Sequence, residues 1–184
     1  MLRNPPDPAA LMADIAAGDR QAFDALVAHL HAPMLRLALR ISADRGDAED
    51  ALQSAFTKLW THADHYDAAR GSVAGWFHRI LVNLCLDRRR RIRIVSPLED
   101  AAQVAAPGPD PFEAADANAR AQRVDAAMAK LSARQRAAIA LFHGEGASMA
   151  EIAAHLETSP KAVEGLLARA RKELSELLAN ERNR

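Results

Sequence analysis

Apolar residues in this chain recur at three- and four-residue intervals over long stretches, and almost nowhere in the alternation that a sheet requires. The nearest approach to a β-branched run, Ile92 to Val95, is interrupted by Arg93. Only 4% of the residues are aromatic and alanine dominates the apolar fraction of 49%. Any core must therefore be assembled from Ala, Leu, Ile and Met, which suits thin helical bundles better than a thick sheet sandwich. The expected fold is all-α. At 184 residues the chain suffices for one ordinary domain or two small ones.

Punctuation divides the pattern. After the proline-rich opening, a helix is expected from about Ala9, with Leu11, Ile15, Phe23, Leu26, Val27 and Leu30 inward and a break near Gly18. Pro33 suits the first turn of a further helix carrying Leu35, Leu37, Leu39 and Ile41, with Gly46 helping to close it. From Asp47 to Trp60 the pattern is clearest. Asp47 is the expected cap; Ala48, Leu52, Ala55, Phe56 and Leu59 form one stripe, and Asp50, Gln53, Ser54, Thr57 and Lys58 the opposite face. A loop over 65–71 precedes a helix from about Ser72 through Trp76, Phe77, Ile80, Leu81 and Leu84 into an arginine run.

Four prolines and scattered acids between 94 and 115 predict a flexible acidic linker. Two units follow, at 9–93 and 116–180. The second opens with a helix near Ala115 to Ala129; Ser132 caps a helix from Ala133 to Phe142, and a turn runs from His143 to Gly146. Ser148 caps a short helix through Leu156, with Glu151 at capping-box spacing. Glu157, Thr158 and Ser159 form a tight turn, and Pro160 begins a last helix with Val163, Leu166, Leu167, Ala170, Leu174, Leu177 and Leu178 inward.

Formal net charge is zero, but its distribution is uneven. Residues 1–98 carry +2, residues 99–127 carry −4 and residues 128–184 carry +2. An acidic middle thus hides two mildly basic ends, which leaves phosphate binding open. The single Cys85 excludes an intrachain disulfide and reads as a small buried hydrophobe. With no membrane-length apolar stretch and no signal-peptide run at the start, a cytoplasmic protein without membrane insertion is expected.

Two constellations bear on function. The helix–turn–helix from Ser148 to about Leu178 has the layout that presents a recognition helix to the major groove. Lys161, Ala162, Glu164 and Gly165 lie early, where base edges are reached, while Arg169, Arg171 and Lys172 lie later and suit phosphates. For Glu164 above all, a solvated helix face is the competing explanation. In the first unit Trp76 and Phe77 precede Arg88, Arg89, Arg90, Arg91 and Arg93. Stacking of unpaired bases beside a backbone-binding track would use such a pair; in a chain this poor in aromatics, Trp76 is more simply a core anchor. The arginines exceed what a helix end needs, and so many like charges repel unless a polyanion is near.

These features coincide in one family. The chain resembles the extracytoplasmic-function (ECF) group of the sigma-70 family from about Gly18 to Leu178, apart from the linker. GDAEDALQSAFTKLW at 46–60 is similar to region 2.2, AGWFHRILVNLCLDRRRR at 74–91 to regions 2.3 and 2.4, and residues 131–174 to region 4. The resemblance implies a sigma factor that directs core RNA polymerase to promoters and assists melting. It implies that Asp50, Gln53, Ser54 and Thr57 dock on the clamp of the largest subunit, although relatives often carry an acid at Ser54. The loop from Asp64 to Gly71 with Trp76, Arg79, Asn83 and the arginines would read and open the −10 element. Region 4 would read the −35 element through Lys161, Ala162 and Glu164 while engaging the flap of the second subunit. Glu164 and Gly165 replace residues common in relatives, so the preferred sequence stays open. An anti-sigma factor answering a stress signal is also implied.

Other classes fit less well. A stand-alone helix–turn–helix regulator accounts for the second unit but not the first, and a helical adaptor leaves the arginine run unexplained. His62 and His65 with Asp64 and Asp67 lack a fourth-ligand pattern, and Cys85 has no partner for nucleophilic chemistry. No catalytic residue, metal or cofactor is expected.

Overall fold

In a computed structural model, residues 7–42, 44–95 and 113–182 are described, except for the side chains of 89–95, 113–120 and 181–182. The described residues contain eight α-helices: α1 (Pro8–Ala16), α2 (Arg20–Ser42), α3 (Arg45–Thr61), α4 (Val73–Val95), α5 (Glu113–Lys130), α6 (Ala133–Ile139), α7 (Met149–His155) and α8 (Pro160–Arg182). No strand occurs among them, and none of these helices is long and apolar enough to cross a membrane. Most of the expected 94–115 linker falls outside the described residues.

Helices α1 to α4 pack into the first bundle, with α2, α3 and α4 in mutual contact. Phe77, Leu26, Leu37, Leu59, Leu81 and Met12 are fully buried there, and Phe56 packs on Phe77 with ring centroids 4.8 Å apart. The α3 stripe is buried as its spacing predicts, and the polar face from Asp50 to Lys58 is exposed.

Within the first bundle, three boundaries differ from expectation. Pro33 lies inside α2 and begins no new helix. A proline removes one intrahelical donor, but Leu26, Leu30, Met34, Leu37 and Ile41 form one buried face across it, and packing that face outweighs the lost bond. Asp44, not Asp47, caps α3; its carboxylate accepts from the Asp47 amide at 2.8 Å. Gly46 consequently sits in the first turn of α3 and does not close α2.

The second unit is built from shorter pieces. Ser132 and Ser148 each form a reciprocal capping box, with Gln135 and Glu151, so both seven-residue helices have their first donors satisfied. The expected continuation of α6 to Phe142 widens into a π-turn over Ala140–Gly144. Helices α6 and α7 pack on α8 through Ala137, Ala138, Ile152, Val163, Leu167 and Ala170. Leu174, Leu177 and Leu178 are only half-buried, because α8 runs on past this core.

The two units also touch. Helix α6 packs against α2 and α4, and α7 against α4, so one apolar cluster spans both. Arg136 of α6 lies 1% exposed at this seam and donates to the carbonyls of Ile41 (2.7 Å), Leu131 (2.6 Å) and Ala129 (3.1 Å).

Candidate nucleic-acid interface

Three exposed surfaces carry the residues singled out by the sequence. The first is the outer face of α3, where Asp50, Gln53, Ser54 and Thr57 are exposed at helical spacing. Thr57 donates its hydroxyl to the Gln53 main-chain carbonyl at 3.0 Å, a bond in which the exposed Gln53 side chain takes no part. Asp50 is differently placed. It is ion-paired with Arg88 of α4, whose Nε also donates to Asp47 at 3.0 Å. Those two carboxylates push the Arg88 guanidinium pKa above its ordinary value, with the Asp47 hydrogen bond the largest cause.

The second surface joins α3 to the start of α4. Two 3₁₀ turns, Ala63–His65 and Ala68–Arg70, shape the loop, and Asp67 caps the second by accepting from Ala69 at 2.9 Å. Tyr66 braces it from within: its hydroxyl donates to the Gly71 carbonyl at 3.0 Å, and its ring meets Trp76 edge-on at 6.0 Å. Gly71 itself has φ 135°, a left-handed conformation that a side chain would strain. Trp76 is half-buried, so it is neither a full core anchor nor a free stacking platform. Arg79 is exposed and Asn83 partly so, while the side chains of Arg89, Arg90 and Arg91 lie outside the described residues.

The third surface is the amino end of α8. Ser159 accepts from the Ala162 amide at 3.2 Å, and the helix begins at Pro160 as expected. Lys161 and Glu164 are both exposed and pair at 2.7 Å. The bond raises the lysine pKa and lowers that of the glutamate. Ala162 is half-buried beside them, and Gly165 leaves room for Arg169, whose guanidinium folds back toward it. Arg169, Arg171 and Lys172 are exposed, and Arg171 also lies over the Phe142 ring at 5.3 Å and 3.4 Å from His143 Nε2. Before α8, Glu157 turns the chain with φ 49°.

Several contributors escaped the sequence reading. Arg88 is tied to the α3 face as well as lying among the basic residues. Asn83 meets Glu157 at 3.5 Å, so a residue of the second surface contacts the turn leading into the third. His78, Glu145 and His155 gather beside it. A cation at Arg136 between buried Gln135 and Ala137, and a histidine at 155 between Ile152 and Leu156, are the signals that could have announced this seam. Among the described residues, no cluster of His, Cys, Asp or Glu could hold a metal ion.

Comparison with known proteins agrees with this geometry. The Sigma-70 region 2 family matches residues 26–94, and Sigma-70, region 4 matches residues 121–174. The ECF RNA polymerase sigma factor SigM of Mycobacterium tuberculosis is 38% identical over 92% of this chain and 84% of its own. The RNA polymerase sigma factor CnrH of Cupriavidus metallidurans is 35% identical over 91% of this chain and 92% of its own. Among solved structures, CnrH in complex with the cytosolic domain of CnrY superposes with TM-score 0.65 at 30% identity, covering 94% of this chain and 97% of that one. The Bartonella quintana sigma factor RpoE, solved with the anti-sigma factor NepR, gives TM-score 0.67 at 26% identity, covering 85% and 96%.

Proposed function

Because the chain belongs to the ECF sigma factors of the sigma-70 family, non-catalytic proteins that direct RNA polymerase to promoters, we propose that its three exposed surfaces divide that task between two units, at 9–93 and 116–180. The observation that carries this reading is their separation: the polar α3 face and the α8 amino end are both exposed, on different units, each within a stretch matched to a different sigma region.

In this reading Asp50, Gln53, Ser54 and Thr57 engage the clamp of the largest polymerase subunit, and the second unit rides on the flap of the second subunit. Arg88 contributes through Asp50 and Asp47, holding the docking face in shape from α4. The Tyr66-braced loop, Trp76, Arg79, Asn83 and the arginines through Arg91 receive the −10 element. Bases leaving the duplex stack on the exposed part of the Trp76 ring while the cations hold the backbone. Lys161, Ala162 and Glu164 face the −35 base edges, and Arg169, Arg171 and Lys172 meet phosphates. Neither unit carries enough charge for tight binding alone. Tethering both to one polymerase raises their effective concentration at two spaced elements, so weak contacts suffice. An anti-sigma factor is the expected inhibitor, since both solved relatives were captured with a partner and one partner is an anti-sigma factor. The reading places the protein in the cytoplasm, with the polymerase.

The test is comigration with core polymerase and binding of the resulting holoenzyme to promoter DNA. Gln53→Ala should weaken comigration about ten-fold or more while helicity is unchanged. Lys161→Ala should leave comigration intact and alter the preferred −35 sequence. Comigration that survives Gln53→Ala together with Thr57→Ala would move the docking face elsewhere.

A further inference from the structure

The seam between the units adds polar contacts to its apolar ones and contains two imidazoles, His155 buried and His78 half-buried. His78 of α4 and His155 of α7 face one another with ring centroids 6.2 Å apart. His78 Nε2 and His155 Nδ1 are buried and make no hydrogen bond to the protein. The other charged groups on the packed elements divide by sign. Glu145, in the turn after α6, lies 3.9 Å from His78 Nε2 and is shared with Arg40 of α2. Arg79 follows His78 on α4, Glu151 precedes His155 on α7, and Arg134 of α6 donates to the Leu156 carbonyl. Arg136 closes the seam on the Ile41 carbonyl, and Asn83 meets Glu157.

We infer that this histidine pair makes the seam an acid-sensitive latch: neutral imidazoles let the two units close, and protonation drives them apart without unfolding either one. Charging either ring buries a cation beside a second imidazole, and around His155 the neighbouring Arg79 adds to the repulsion. Glu145 offsets part of this for His78; Glu151 does less for His155. Burial accordingly lowers the His78 pKa, and burial, His78 and Arg79 together lower that of His155 to about 4. In the open form both rings face water and titrate near the ordinary histidine value of about 6.5. The closed form is therefore fully favoured above about pH 6.5 and loses ground as pH falls from there toward 4. For His155 alone, the open-to-closed ratio rises about ten-fold between pH 7.5 and pH 5.5.

Opening rather than unfolding is expected because each unit keeps a core of its own. Phe77, Leu81 and Leu59 lie in the first bundle and Ile152, Val163 and Leu167 in the second, while the seam adds apolar contacts of α6 with α2 and α4 to the polar ones of Arg136, the histidines and Asn83 with Glu157. The polar part of such an interface permits relative motion between domains. The closed form keeps Asn83 against Glu157, so opening releases a residue of the −10 surface; that consequence rests on the function proposed above, whereas the opening itself does not.

Small-angle scattering of the full-length chain between pH 7.5 and 5.0, with circular dichroism on the same samples, tests the latch without polymerase. The radius of gyration should rise on acidification at constant helicity. In His155→Phe, with its ring permanently neutral, the rise should shrink or vanish, and in His155→Lys the chain should be expanded already at pH 7.5. Should His155→Lys lose helicity, the neutral His155→Asn joins His155→Phe as the decisive comparison with the wild type. A radius that stays constant in the wild type overturns the inference. So does an expansion of equal size and midpoint in both neutral variants, or one accompanied by loss of helicity. Failure of polymerase comigration would overturn the proposed function and leave the latch standing.

Discussion

The two units solve the problem of a small core in different ways. The first spends its few aromatic residues together: Phe56 packs on Phe77 at 4.8 Å and edge-on to Phe23 at 6.5 Å, and Phe23 meets Trp60 at 5.2 Å. Around them α2 and α4, each of 23 residues, supply long apolar faces. The second unit has no aromatic residue among its fully buried side chains and relies on alanine, leucine, isoleucine and valine. Its two shortest helices are held by capping boxes, and α6 gains further cover from α2 across the seam. One half is thus stabilised mainly by bulk, and the other by saturated backbone ends and by leaning on its neighbour. A unit can be small when local capping fixes its helices.

Substitutions test that contrast between the units. The largest effect is expected from Phe77→Ala, which opens a cavity in the aromatic cluster and should destabilise the first unit by about 3–5 kcal/mol in urea denaturation. Arg136→Met comes next. It fits an apolar chain into the same space but leaves the Ile41 and Leu131 carbonyls without their donor, a loss of about 2–3 kcal/mol. If it instead stabilised the protein, the guanidinium would be a burden that the seam merely tolerates. Ser148→Ala removes one half of a capping box and should lower the stability of the second unit by about 1 kcal/mol. An effect as large as that of Phe77→Ala would erase the distinction between the units.

The smallest test concerns Cys85. Burial is the main cause raising its thiol pKa from 9.0 to about 11. The folded form thus favours the neutral thiol, so its contribution to stability is constant below pH 9 and falls as pH rises from 9 toward 11. Thermal melts of wild type and Cys85→Ala across that range should converge or cross accordingly. Alkylation of Cys85 at pH 8 should proceed only as fast as the first bundle opens.

Much of this arrangement was legible in the residues. Helical periodicity gave the α3 stripe from Ala48 to Leu59 and the break near Gly18, and the Ser148–Glu151 spacing gave the start of α7. Local chemistry explains these, so a single sequence suffices. What escaped depends on distant partners. Pro33 reads locally as a helix start, yet the buried face from Leu26 to Ile41 carries α2 through it. Asp47 reads as a cap, yet Asp44 takes that place and Asp47 binds Arg88, 41 residues away. Among the candidate site residues, the exposure of Gln53, Lys161 and Glu164 followed from their helical phase. The engagement of Arg88 with Asp50, of Arg171 with Phe142 and of Asn83 with Glu157 did not, because each joins elements whose packing no local pattern encodes.

In the function proposed above, the chain gives polymerase its promoters through two spaced contacts. Mapping transcript 5′ ends after adding the purified protein to core polymerase on fragmented source DNA tests it directly. Discrete new starts are expected that depend on the protein and share two upstream elements at fixed spacing, with Lys161→Ala altering only the upstream one. No protein-dependent starts with an active core, together with no comigration, would contradict it and leave a stand-alone helix–turn–helix protein in its place.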